Sequence, residues 1–547
     1  MRAAPRALRS MRVPVRRIID AAAAACARDN IHRTFNLRTI SGTMVWRHMP
    51  RTISRERKTD MSKKPNVIYI LADDLGYGDL SCLNPDSKLH TRCIDDMALN
   101  GLRMTDMHST SAVCTPSRYG ILTGRYNWRS CLKSGVVGGY SEPIIEQSRR
   151  TVADVMHEAG YVTGCVGKWH LGLRWQHDND LPEPHGYATM PGVDYSKPVY
   201  GGPLDFGFDR FFGIAASLDM PPYVYIDGRQ ATAIPDHETE GTGMGFWRKG
   251  PTAPDFVHEE VLPKLTQKAM DWIDEWSDKP FFIYFPLPAP HTPILPTGEY
   301  CGKSHTNSYG DFVLMVDGVV GTIREHLRKR GLLEDTIIVF TSDNGCSPMA
   351  DYPDLISKGH NPSYVFRGTK ADIYEGGHRI PFVVSWPAGI PCGGSVDQTL
   401  CLSDFMATMA ELTGVRLPDD MGEDSVSELA LWQRRSDAPV RRDIVHHSID
   451  GSFSIREGSW KLELCPGSGG WSDPVPGEEP EGSPDMQLYD LSADISERRN
   501  LIAEHPEIAE RLKERLIGYI RNGRSTPGAP QQNTDGEFFN TYSWYRP

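Results

Sequence analysis

Asn66-Val67-Ile68-Tyr69-Ile70-Leu71-Ala72 is an unbroken apolar run of strand length that delivers Asp73-Asp74-Leu75-Gly76-Tyr77-Gly78. A strand without alternation belongs in a sheet covered on both faces, as parallel strands are. Two carboxylates at its C-terminal end stand where an open α/β sheet gathers ligand chemistry, although D-D-x-G is equally a common acidic turn. The pattern recurs. Residues 161–166 read as a short strand delivering Lys168 and His170, and residues 280–285 as another ending in Pro290-His291-Thr292-Pro293. Residues 336–342 read as a strand ending in Asp343-Asn344-Gly345, and residues 382–386 as one more. Helical spacing lies between them at 94–100, 151–159, 255–276 and 309–330. Strands alternating with helices predict an α/β fold with a large, mostly parallel sheet sandwiched by helices. Residues 173–250, rich in Pro, Gly, Tyr and Asp, read as irregular substrate loops.

Near residue 440 the alternation gives way to short segments at 444–448, 452–456, 461–464 and 487–490, followed by a helix over 506–522. This predicts a smaller C-terminal antiparallel-sheet α+β subdomain. The expected division is a catalytic domain over 61–438, the subdomain over 439–522 and a loose, aromatic-tipped tail over 523–547. Residues 1–60 hold 14 of the 59 Lys+Arg and 4 of the 71 Asp+Glu, and read as a disordered leader or a mispredicted extension ahead of Met61. The remainder carries a net charge of −22, so its general field repels nucleic acid and anionic membranes. Cations that hold an anionic substrate must therefore be local and aimed. No apolar run of about twenty residues spans a membrane, and no clear signal peptide is present. Eleven Cys, an odd number without C-x-x-C, argue against a disulfide framework and place a cytoplasmic location slightly ahead of a periplasmic one.

Cys114-Thr115-Pro116-Ser117-Arg118-Tyr119-Gly120-Ile121-Leu122-Thr123-Gly124-Arg125 lies between the first two strands. Pro116 suits a first helical turn, which puts Cys114 at a helix N-terminus with Arg118 one turn on, able to reach back. Such a Cys is either a reactive thiolate or a small buried thiol at a helix entry. Taken whole, the stretch resembles the type I sulfatase signature C-x-P-S-R-x-x-x-L-T-G-R and matches it at every fixed position. Four further blocks agree: the string from Ile70 to Asp79, Gly167-Lys168-Trp169-His170-Leu171-Gly172, His291 among its prolines, and the G-x-K-x-x-x-x-E-G-G-x-R-x-P block from Gly368 to Pro381. The resemblance covers roughly residues 65 to 520. Residues 90–95 depart from the usual T-P-N-I-D, and His378 stands where an apolar residue is more usual, without explanation.

The resemblance implies an alkaline-phosphatase-like fold and a sulfuric ester hydrolase. A formylglycine-generating or maturase enzyme would oxidise Cys114 to formylglycine, whose hydrated aldehyde attacks sulfur. Asp73, Asp74, Asp343 and Asn344, together with residue 114, would hold a metal. Oxygen donors without imidazole or thiolate select a hard cation, Ca²⁺ or, in a tighter cavity, Mg²⁺. By the same resemblance Arg118 fixes the diol, and Lys168 and Lys370 hold sulfate oxygens. His291 serves the leaving oxygen, and His170 takes the proton whose loss expels sulfate. The substrate would be a sulfated small molecule or glycan. A galactose- or N-acetylgalactosamine-type 6-sulfate is favoured by Tyr195, Tyr200, Phe206, Phe208, Phe211, Phe212, Tyr223 and Tyr225, interspersed with carboxylates. The competing readings are a phosphodiesterase or phosphonate hydrolase of the same superfamily and a non-catalytic glycan-binding relative.

Overall fold

A computed structural model describes residues 64–177, 187 and 189–545. The leader expected over 1–60 lies outside the described residues, as does part of the loop expected over 173–250. Asn66–Asp73 is buried along all eight residues and pairs in parallel on both sides, with Phe281–Pro290 and with Thr336–Ser342. Its lack of alternation follows from that position: both faces are covered. Tyr69 and Phe282 turn one face towards Phe405, with ring centroids 4.5 and 6.0 Å away. On the opposite face Gly164 lies against Trp272 of the helix Val261–Glu275, where an added Cβ would come within 2.6 Å of the indole.

The whole sheet has ten strands. In order they are Ser395–Val396, Leu102–Met104, Phe382–Ser385, Thr336–Ser342, Asn66–Asp73, Phe281–Pro290, Val162–Lys168, Arg210–Ile214, Ile226–Asp227 and Gln230–Ala231. Its centre is parallel, and antiparallel pairs occur towards both edges. The helix Ser308–Lys329 is capped by Asn307, whose side chain accepts from the backbone N–H groups of Tyr309 and Gly310. Val152–Glu158 is likewise capped by Thr151 in a reciprocal box with Asp154. Among the described residues no helix is long and apolar enough to cross a membrane.

The C-terminal strands Asp443–His447, Phe453–Glu457, Trp460–Glu463 and Gln487–Asp490 form a separate antiparallel sheet in sequence order. Pro506–Asn522 packs on it through Leu512, Leu516, Ile517 and Ile520.

Three sequence expectations are corrected. Residues 173–250 are not loops throughout, because Arg210–Ile214 extends the central sheet beside Val162–Lys168. The stretch after 523 is not loose: Phe539 is buried with its ring edge-on to Trp128, centroids 5.9 Å apart, and Tyr545 is buried beside it. Phe206, Phe208, Phe211, Phe212, Tyr223 and Tyr225 are buried in the core, so none of them offers a sugar a platform. Only Tyr195 and Tyr200 of that set keep partial exposure.

Candidate active site

Cys114 is the first residue of the helix Cys114–Thr123, entered from extended Val113 and closed by left-handed Gly124. All ten residues of this helix are buried. Gly120 is required where the helix crosses the preceding loop, since a Cβ there would come within 2.6 Å of Thr110 Oγ1. Burial pushes the Cys114 thiol up despite Lys168 and Lys370 nearby, so the thiolate reading is disfavoured.

Arg118 does not reach back to the sulfur as the spacing suggested. Its Nε and Nη2 donate to Asp343 Oδ2 at 3.0 and 2.6 Å, and its Nη1 donates to the Lys168 carbonyl at 3.1 Å. Asp73 ends the central strand and accepts from Lys168 Nζ at 2.6 Å through Oδ2. Asp74 turns the chain with φ 63° and accepts from Lys370 Nζ at 2.8 Å and from Asn344 Nδ2 at 2.7 Å. Its N–H donates to Asp343 Oδ1 at 3.2 Å. Burial by itself pushes the carboxyls of Asp73 and Asp343 up. At Asp73 the cations Lys168 and Arg118 win and hold it well below the usual range. At Asp343 burial wins over Arg118 and lifts the carboxyl to about 7.

The two histidines are set differently. His170, in a left-handed turn at φ 56°, donates from Nε2 to the Val137 carbonyl at 2.7 Å. That bond fixes the tautomer and leaves Nδ1 a buried lone pair without a partner. Burial, reinforced by Lys168 and Arg118, keeps its pKa well below the ordinary value, so the ring is a neutral acceptor. His291 Nε2 stands 3.6 Å from Asp74 Oδ2.

Every sequence-predicted site residue is therefore brought together: Asp73, Asp74, Cys114, Arg118, Lys168, His170, His291, Asp343, Asn344 and Lys370. Sequence reasoning missed Ser217, whose Oγ lies 3.2 Å from both Lys168 Nζ and His291 Nδ1. It sits in no motif, and a lone Ser in a loop carries no signal. At the mouth, Arg248 pairs with Asp219 and lies 4.8 Å from the ring centroid of Tyr187, a phenol within electrostatic reach of Cys114 and Lys370.

The donor chemistry fits a hard cation. Donor atoms of Asp73, Cys114 and Asp343 lie within 4.8 Å of one another, as do those of Asp73, Asp74 and His291. Asp73 Oδ1 and Asn344 Oδ1 are buried without a hydrogen bond, two oxygens with lone pairs to give.

The sequence profile described as Sulfatase matches residues 65–415, which carry all of these groups. The chain belongs to the sulfatase family. This sulfatase is 34% identical over 499 residues to the N-acetylgalactosamine-6-O-sulfatase of Bacteroides thetaiotaomicron, covering 83% of its own length and 93% of that protein. It is 30% identical to human arylsulfatase A, over 87% of its length and 92% of the relative's. A solved B. thetaiotaomicron structure, described in connection with the metabolism of multiple glycosaminoglycans, superposes with a TM-score of 0.72 at 33% identity, covering 84% of this chain and 99% of that one. The phosphonate monoester hydrolase of Agrobacterium radiobacter shares the fold, with a TM-score of 0.54 at 17% identity over 83% of this chain and 95% of that one. The sulfatase is accordingly a sulfuric ester hydrolase.

Proposed function

We propose that this sulfatase removes the 6-O-sulfate of an N-acetylgalactosamine- or galactose-type sugar, with a formylglycine made from Cys114 as nucleophile. The observation that carries the chemistry is the buried convergence of Cys114, two lysines and a neutral histidine on one cluster of oxygen donors. Asp73, Asp74, Asp343 and Asn344 would hold Ca²⁺, with Mg²⁺ as the alternative. When bound, such an ion screens the charge on the sulfate oxygens and favours ionisation of the hydroxyl on residue 114.

The chain's own groups supply the rest. Arg118, locked on Asp343, orients that carboxylate beside residue 114 and adds a fixed positive charge. Lys168 and Lys370 exchange part of their hold on Asp73 and Asp74 for the sulfate oxygens, where negative charge develops. His291, steadied by Ser217, faces the departing alcohol oxygen and gives it a hydrogen bond or a proton. His170 accepts at Nδ1 the proton of the second hydroxyl on residue 114, which lets sulfate leave without attack by water.

The sugar assignment is supported by the B. thetaiotaomicron relative and by a canine N-acetylgalactosamine-6-sulfatase that is 28% identical over 499 residues, covering 86% of this chain and 88% of the relative. It also suits the mouth, where buried Asp219 keeps Oδ1 without a hydrogen bond beside Arg248 and Tyr187. An acceptor, a cation and a phenol match sugar hydroxyls and an acetamido group better than an apolar alcohol. A panel of sulfated mono- and oligosaccharides against an aryl sulfate, scored by kcat/KM, tests the reading. An aryl ester favoured a hundredfold over every sugar, about 2.7 kcal/mol of transition-state preference, would end it.

The nucleophile has its own test. The peptide containing residue 114 should be about 18 Da lighter than its unmodified form, a difference set by the exchange of a thiol for an aldehyde. Cys114→Ala should abolish turnover and leave the fold intact. Full activity with an intact thiol contradicts the mechanism.

A further inference from the structure

His378, unexplained by the sequence, belongs to a second buried cluster distinct from the active site. His108 ends the short strand Met107–His108 that precedes the Cys114 helix, His378 ends the short helix Glu375–His378, and His446 lies on the C-terminal strand Asp443–His447. All three are buried, and one ring nitrogen of each falls within 4.8 Å of one from each of the others. His378 and His446 lie face to face with centroids 3.7 Å apart.

One nitrogen of each ring faces an acceptor outside the trio. His108 Nε2 is 2.8 Å from Asp106 Oδ1, His378 Nε2 is 2.9 Å from the Ile373 carbonyl and His446 Nδ1 is 3.0 Å from Ser454 Oγ. Protons placed on those nitrogens leave the other three as lone pairs. His108 Nδ1 and His378 Nδ1 then confront each other at 3.0 Å, and His446 Nε2 is buried with no hydrogen bond at all. Two bare nitrogens at that distance repel unless a cation lies between them. Metal-bound histidines characteristically donate the opposite N–H to a carboxylate, a carbonyl or a similar acceptor, which is the pattern here.

We propose that His108, His378 and His446 bind a divalent transition-metal ion of the zinc type. Three neutral imidazoles without a thiolate suit that class and not the hard cation of the active site. Two nitrogens sharing a tetrahedral zinc lie about 3.3 Å apart, given Zn–N bonds of about 2.0–2.1 Å, so a slight ring rotation opens the observed contact enough.

The competing arrangement is a shared proton. Lys461 Nζ, 3.0 Å from His378 Nε2, would donate to it, and His378 Nδ1–H would donate to His108. A bound ion would staple the C-terminal sheet to the two segments that lead to Cys114 and away from Lys370. Ser109 N–H already ties those segments together at the His378 carbonyl, 2.8 Å away.

Full-length protein expressed with added zinc and dialysed against buffer is analysed by inductively coupled plasma mass spectrometry and zinc-edge X-ray absorption. One zinc per chain in a nitrogen-rich shell is expected. His446→Phe keeps a stacked ring and removes the nitrogen, and it should lose that ion while retaining the calcium or magnesium of the active site. If His446→Phe does not fold, the absorption spectrum of the wild type decides alone. A folded wild-type chain without zinc, zinc retained by folded His446→Phe, or a shell without histidine nitrogen overturns the proposal in favour of the shared proton.

Discussion

Arg118 binds Asp343 so closely that neither group is buried alone, and the pair invites a direct test. Arg118→Leu leaves a buried carboxylate without its nearest cation and should cost about 3–5 kcal/mol of unfolding free energy, read by urea titration. A cost below about 1 kcal/mol would mean that a bound ion alone satisfies Asp343. His447 makes a different prediction. It is fully buried, its Nδ1 is 3.0 Å from Asn127 Nδ2, and burial lowers its pKa to about 3. The unfolded chain takes up a proton there near pH 6.5 that the folded chain refuses until about pH 3. The stability it contributes is therefore full above the unfolded value and declines as pH falls between the two. At about pH 5.5 the loss is about 1.4 kcal/mol relative to neutral pH, and His447→Gln should flatten the stability profile by that amount. Denaturant midpoints of both proteins near pH 5.5 and pH 7.5 measure it, and equal slopes would refute the assignment. At this scale the types of the site residues were legible, because strand-end carboxylates and a helix-start Cys carry chemistry in their order. Where Arg118 points was not, since its partner Asp343 is distant in sequence and only folding brings it near.

Among elements, the nucleophile helix depends on one close approach. Alanine at Gly120 would ordinarily favour a helix by about 1 kcal/mol. Here its Cβ would meet Thr110 Oγ1 at 2.6 Å and Cγ2 at 2.8 Å, and Thr110 is fully buried with little room to yield. Gly120→Ala should therefore destabilise by about 1–3 kcal/mol in spite of propensity, and a second change, Thr110→Ala, should recover most of it. Thermal melts of the single and double variants give the coupling. The elements that were legible share a physical trait. Asn66–Asp73 and Thr336–Ser342 are buried on both faces and so read as continuous apolar runs. Arg210–Ile214 escaped notice because it is five residues long, begins with an exposed Arg and includes Gly213, whose missing Cβ lets the backbone pass Gly167. Phe281–Pro290 runs five residues past the expected end, through three prolines that break the usual strand signature.

For the whole molecule, exhaustive chelation should abolish turnover and lower the melting temperature, because Asp73, Asp74 and Asp343 then crowd together with only side-chain cations to separate them. Metal content measured on the same sample distinguishes a resistant ion from an unneeded one, and full activity at zero metal would refute the oxygen site. Ending the chain after Asn522 should also destabilise it. Gln532 and Asn533 accept from Arg125 and Arg129 at 2.7 and 2.9 Å, and Phe539 covers Trp128. A truncated chain that melts with the full one would show that this wrap contributes nothing. The wrap also sets a clock. With the entire Cys114–Thr123 helix buried, the enzyme that the proposed mechanism requires to oxidise Cys114 would have to reach it before the fold closes. Gln532 and Asn533 lie 407 and 404 residues beyond the arginines they grip, roughly 20–80 s of ribosomal synthesis at about 5–20 residues per second. The segment that grips Arg125 and Arg129 emerges near the end of that interval. On the proposed mechanism, occupancy at position 114 would be a race between oxidation and closure of this wrap, and slower translation should raise the fraction of molecules born active.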